Sequence, residues 1–212
     1  MPEPIEEHTA VKQYNDPISV AKRAKQKVYP CSQGDKNAML EQIIRSMDKA
    51  QAVVVIKTKR AADALSAYLQ TRDINAISVH SNKGKQVCEA GAIAFNEGDV
   101  QVLITTDMIL QSLELKGIDN LLGYDLPSEP EHYLSRLGRM SEEGEAISLL
   151  SKEEETLLFL IERTMRQEIV TEELEGFEPS VQTDNIAPAV KTHKKKPRHR
   201  KQKSKAAKRS KE

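Results

Sequence analysis

Residues 52–69 read AVVVIKTKRAADALSAYL. Its first five side chains are all apolar, the pattern of a strand buried on both faces. Ala61, Leu65, Tyr68 and Leu69 then recur at helical spacing, so KRAADALSAYLQ predicts an amphipathic helix directly after that strand. A buried strand followed at once by a crossover helix is half of a βαβ unit, and such units build a mainly parallel sheet.

The alternation continues outward. INAISVH (74–80) predicts a second strand, VCEAGAIAF (87–95) a helix and VQVLITT (100–106) a third strand. Two more strands are predicted at 121–124 and 146–150, with a helix around EPEHYLSRLG between them. Leu157, Leu158, Ile161 and Met165 mark a closing helix. The expected fold is α/β, one domain with a mainly parallel sheet flanked by helices and its working loops at the carboxyl ends of the strands. Residues 1–27 read as a polar lead-in with basic Lys22, Arg23, Lys25 and Lys27. Residues 28–177 form the domain, 178–190 a linker and 191–212 a basic tail.

The formal charge of zero conceals a split. Residues 191–212 hold 12 of the 32 Lys and Arg but only 1 of the 32 acids, so the tail carries +11 and the rest of the chain −11. Such a tail is expected to be disordered in isolation and to seek a polyanion. The acidic opening MPEPIEEHTA has no apolar core, and no apolar run is long enough to span a membrane, so a cytoplasmic protein without a membrane partner is expected. Cys31 and Cys88 lack CxxC spacing, which argues against a disulfide framework or a zinc site.

Three loops at strand ends, VVVIKTKRAADAL, LITTDMILQSLELKGIDNLLGYDLP and YLSRLGRM, stand together with SVHSNK in a recognisable order. In that order and spacing, over roughly residues 15–180, they resemble the C-terminal RecA-like domain of DEAD-box RNA helicases. EGEAISLLSKEEETLLFLIERTMRQEI followed by GFEP is most similar to the end of that domain in the bacterial RhlE group. The resemblance implies a single RecA-like domain.

The departures bear on function. Where the family's motif runs approximately ATDxAARGxD, this chain keeps Thr106 and Asp107 but has Gln111, Ser112 and Glu114. Against the family's HRIGRTGR, Ser135 stands for the histidine and Arg136 and Arg139 match the first two arginines. The third is lost in a deletion that brings in Ser141, Glu142 and Glu143, and a missing arginine finger costs about 10³–10⁵ in rate. Lys85 and Cys88 replace a glutamine and an arginine of the helix after SVHSNK. The sequence contains no GxxxxGK[ST] loop and no DEAD-type acidic box. ATP and magnesium are therefore expected only where a first RecA-like domain is supplied, and hydrolysis by this chain alone is not expected.

By the resemblance, Thr58 and Thr106 contact RNA phosphates, with helix capping as the alternative. Lys57, Lys59 and Arg60 either join that contact at a helix start or form a solvated surface. Glu114, Arg136 and Arg139 occupy a degenerate nucleotide site, and the two arginines are expected to tie the closing loop to a structural Asp107. His80 and His132 stand apart from any nucleophile or metal set. Lys194, Lys195, Lys196, Arg198 and Arg200 of the tail are expected to bind RNA through counterion release. The expectation is a stand-alone, degenerate RNA-binding accessory module. The alternatives are one chain of a split ATP-dependent helicase, its ATPase domain a separate partner, or a truncated remnant.

Overall fold

The computed structural model describes Ser19, residues 23–47 and residues 50–180. Seven strands are β1 (Lys25–Pro30), β2 (Ala52–Val55), β3 (Ala76–Val79), β4 (Val102–Thr105), β5 (Ile118–Gly123), β6 (Met140–Leu150) and β7 (Val170–Thr171). Between them run α1 (Lys36–Ser46), α2 (Lys59–Gln70), α3 (Lys85–Glu97), α4 (Asp107–Ser112), α5 (Pro130–Leu137) and α6 (Glu155–Met165). All strand pairs are parallel, in the order β3-β4-β2-β5-β6-β1-β7.

Period-two alternation divides the core between the two faces of this sheet. Val53, Val55, Leu103 and Leu121 point to one face, where α3, α5 and α6 cover them with Phe95, Tyr133, Leu137, Ile161 and Met165. Val54, Ile56, Ile104 and Leu122 point to the other, against Leu40, Ile43 and Ile44 of α1 and Leu65 and Leu69 of α2. The two steps that lead the chain toward β3 carry their helices on this second face, and the returning steps carry theirs on the first. A single crossover handedness requires that exchange. Every strand therefore ends at the same rim, where the loops collect.

Three local readings need correction. β1 starts at Lys25, inside the expected lead-in, because β6 and β7 pair with it on both sides while Lys27 is neutralised by Glu145 and Glu172. At the other end the packed chain extends past residue 177, since the Ser180 backbone N–H donates to Asp35 at 3.2 Å. The helix expected around EPEHYLSRLG stops at Leu137, so Arg136 lies within it and Arg139 beyond its end, and only Arg136 reaches Asp107. Ser141, Glu142 and Glu143 are residues of β6, which begins directly after the shortened loop.

Candidate functional site

The rim is built from the residues that follow each strand. β2 and β4 are neighbours with Val55 opposite Thr105, so Thr58 and Thr106 lie just beyond adjacent strand ends. Thr58 caps α2, its hydroxyl accepting the Ala61 N–H at 3.1 Å. Thr106 precedes α4 without a side-chain cap bond. Lys57, Thr58, Lys59 and Arg60 are all exposed at the start of α2. The outward N–H groups and positive dipole end of that helix favour an anion. Lys59 Nζ also reaches Asn82 Oδ1 at 2.8 Å, which joins the β3 loop to this basic step.

Beside it stands a buried ionic network. Arg136 is 3% exposed and uses all three guanidinium nitrogens within the protein. Nε and Nη2 donate to the two oxygens of Asp107 at 2.6 and 2.8 Å, and Nη1 donates to the Asp125 carbonyl at 3.0 Å. Gly123, below this network, packs closely on β6, since a Cβ there would stand 2.8 Å from Ser148 Oγ, while 3.5 Å from Arg136 Nη1 is ordinary contact. Arg139 donates instead to the Leu113 carbonyl, and with the exposed Glu114 it borders an open depression of about 660 Å³.

Lys36 is the second anchor, and nothing in the sequence marked it. Wholly buried at the start of α1, its Nζ donates to Glu154 Oε2 at 2.7 Å, the Tyr124 carbonyl at 2.9 Å and Asp125 Oδ1 at 3.2 Å. Asp125 Oδ2 accepts the Lys57 N–H at 2.9 Å, so this lysine positions the backbone that presents Thr58. Burial opposes the charge of Glu154, but its bonds from Lys36 and Ser151 prevail and hold its pKa below the ordinary value. Glu154 had a signal, because Ser151-x-x-Glu154 is a capping box and forms as one. Lone Lys36 and Asp125 had none, since their pairing joins residues 89 positions apart.

His80 is a buried strand-end residue, with Nε2 3.0 Å from Asp63 Oδ2. Asp63 also accepts from Ser78 at 2.6 Å and pairs with Lys83 at 3.1 Å. These contacts, Ser78's hydrogen bond foremost, lower its pKa to about 2. Cys88 is buried behind a cleft of about 320 Å³ between α3 and α4, leaving Lys85 as the exposed cation there. Among the described residues there is no cluster of metal-ligating side chains and no helix long and apolar enough to cross a membrane. The tail residues Lys194, Lys195, Lys196, Arg198 and Arg200 lie outside the described residues.

A parallel sheet covered by helices on both faces, with its loops gathered at one rim, is the architecture of a RecA-like domain. The helicase conserved C-terminal domain matches residues 35–144, and the chain belongs to that family, in its DEAD-box form. Eukaryotic initiation factor 4A-8 of Nicotiana tabacum is 31% identical over 127 residues, 58% of this chain and 30% of that protein. The chain thus spans about a third of the length of such relatives. By fold it is similar to the E. coli DEAD-box protein SrmB, solved bound to regulator of ribonuclease activity A, with 20% identity, a TM-score of 0.71 and coverage of 76% of this chain and 98% of that one. S. cerevisiae Dbp5 bound to RNA and ADP BeF3 is similar at 23% identity and a TM-score of 0.63, covering 71% of this chain and 41% of that one.

Proposed function

We propose that this domain binds single-stranded RNA across the rim, without reading its sequence, and serves as an accessory module in RNA metabolism. One observation carries the reading. The exposed run from Lys57 to Arg60 and the adjacent Thr106 stand at neighbouring strand ends, while Arg136 commits all three of its guanidinium nitrogens to Asp107 and Asp125. Hydroxyls, amides and lysines suit sugar-phosphate contact, and a committed arginine is structural. Glu114 and Arg139 are then what is left of the nucleotide site, Arg136 having become structural, and the basic tail adds a polyanion contact of its own.

The test is fluorescence anisotropy of labelled single-stranded RNA with the full chain. Thr58→Glu and Thr106→Glu are each expected to weaken binding about tenfold, or about 1.4 kcal/mol, at low salt. Unchanged affinity in both variants overturns the rim assignment. Arg139, partly exposed at its depression, supports a second reading in which a separate first RecA-like domain brings the phosphate loop, ATP and magnesium. RNA-stimulated ATP hydrolysis on adding such a domain selects that reading.

A further inference from the structure

We infer that the outer face of α6 is a two-fold contact through which this chain pairs with a second copy of itself, the two helices running antiparallel about Phe159. The inference stands apart from the RNA-binding reading and uses no residue proposed to touch RNA. α6 turns Ile161 and Met165 into the core, with Leu157 and Leu158 packed partly buried against it. Phe159 lies on the opposite side and is 56% exposed, and Leu160 beside it is 38% exposed. Single exposed aliphatic residues are ordinary on a protein surface. A half-open phenylalanine in the middle of a helix leaves more in water, since an aromatic side chain can bury about 150–250 Å².

The charges around Phe159 say what covers it. Glu155 stands four residues before it and Arg163 four residues after it, so all three share one helical face at one-turn spacing. Both charged residues are exposed, and neither forms an ion pair among the described residues. The order acid, aromatic, base is complementary to itself in one arrangement. Rotating a second copy by 180° about an axis through Phe159 sets each Glu155 opposite the other copy's Arg163, and brings the two Phe159 rings together in an offset or edge-on contact. A parallel pairing would set acid on acid and base on base. The antiparallel pair also lays the positive end of one helix dipole beside the negative end of the other. Packed helices cross at about 20–50°, so the exposed like charges Lys152 and Arg166, farther from the axis, diverge into solvent. Because α6 runs from the rim back toward the opposite edge of the sheet, the two rims of the pair face opposite ways and both stay open.

One helix per copy is a small contact, below the roughly 800 Å² per partner of a standard interface, so the association is weak and depends on concentration. The experiment is sedimentation velocity of the full chain from about 5 to about 500 μM, with a shift from monomer to dimer expected across that range. Phe159→Glu is expected to keep the chain monomeric throughout. Glu155→Arg should weaken association about fivefold, and Glu155→Arg/Arg163→Glu, which exchanges the charges across the same axis, should return it to within about twofold of wild type. Phe159→Cys places two thiols at the axis and should cross-link with oxidised glutathione, whereas the exposed Glu97→Cys should not, the native Cys31 and Cys88 being buried. Thermal unfolding checks that each variant keeps its fold. A chain that stays monomeric at the highest concentration overturns the inference. So does a dimer that Phe159→Glu leaves intact, which places the contact on another surface, or one that the charge exchange fails to restore, which removes the antiparallel pairing.

Discussion

Replacing Asp107 by alanine should unfold this domain earlier than its position at a partly open rim implies. The substitution strands Nε and Nη2 of Arg136, leaving only the Nη1 bond to the Asp125 carbonyl on a side chain that is 3% exposed. Removing one partner of a buried pair costs about 3–5 kcal/mol. The Asp107 side chain is itself 21% exposed, so water reaches the vacated side and the low end, about 3 kcal/mol, applies. For a domain of this size that lowers Tm by about 6–12 °C. The assay is thermal unfolding of the full chain, followed by circular dichroism at neutral pH, with the exposed Glu97→Ala as a control expected within about 0.5 kcal/mol of wild type. The double variant Asp107→Leu/Arg136→Met replaces the pair by apolar groups and should recover most of the loss. A Tm drop below about 2 °C for Asp107→Ala, or a double variant no better than the single, would refute the view that the pair works as a desolvated unit.

Other expectations follow from the same geometry. Lys36→Met leaves the carboxylates of Asp125 and Glu154 without their shared cation and should cost about 3–5 kcal/mol in urea unfolding, together with weaker RNA binding because Lys57 and Thr58 lose their support. Gly123→Ala places a methyl group 2.8 Å from Ser148 Oγ and should cost about 1–3 kcal/mol in the same assay. Asp35, Asp63 and Glu154 all titrate below their ordinary values in the folded protein, so their stabilisation is complete above the carboxylate range and is lost as pH falls. Stability should hold down to about pH 5 and decline from there to about pH 2, with Asp63→Asn flattening the lowest part of that limb. Lys194→Gln/Lys195→Gln/Lys196→Gln should reduce the slope of log affinity against log salt by about 2 for single-stranded RNA, as read by anisotropy at several salt concentrations.

The strand-helix alternation was legible because burial on both faces leaves a continuous apolar run, as in 52–56, that a solvated strand or loop does not tolerate. α1 and β1 were less visible. Lys36 sits at the start of one and Lys25 and Lys27 within the other, and pairing or salt bridges absorb charges that read as surface when taken alone. The expectation that Arg136 and Arg139 both reach Asp107 failed for Arg139 for a related reason. Three residues apart means one face only while the helix lasts, and α5 ends between them.

By itself, the sequence determined the parallel α/β architecture, the loops that gather at the rim and the charge separation between body and tail. Each of these is carried by residues close together in the chain, through local periodicity or composition. Only the tertiary structure decided that Arg136 is spent on Asp107, that Lys36 bridges Asp125 and Glu154, and that Ser180 returns to Asp35. Those contacts join residues between 29 and 145 positions apart, and no local pattern encodes which distant partner will satisfy a buried charge.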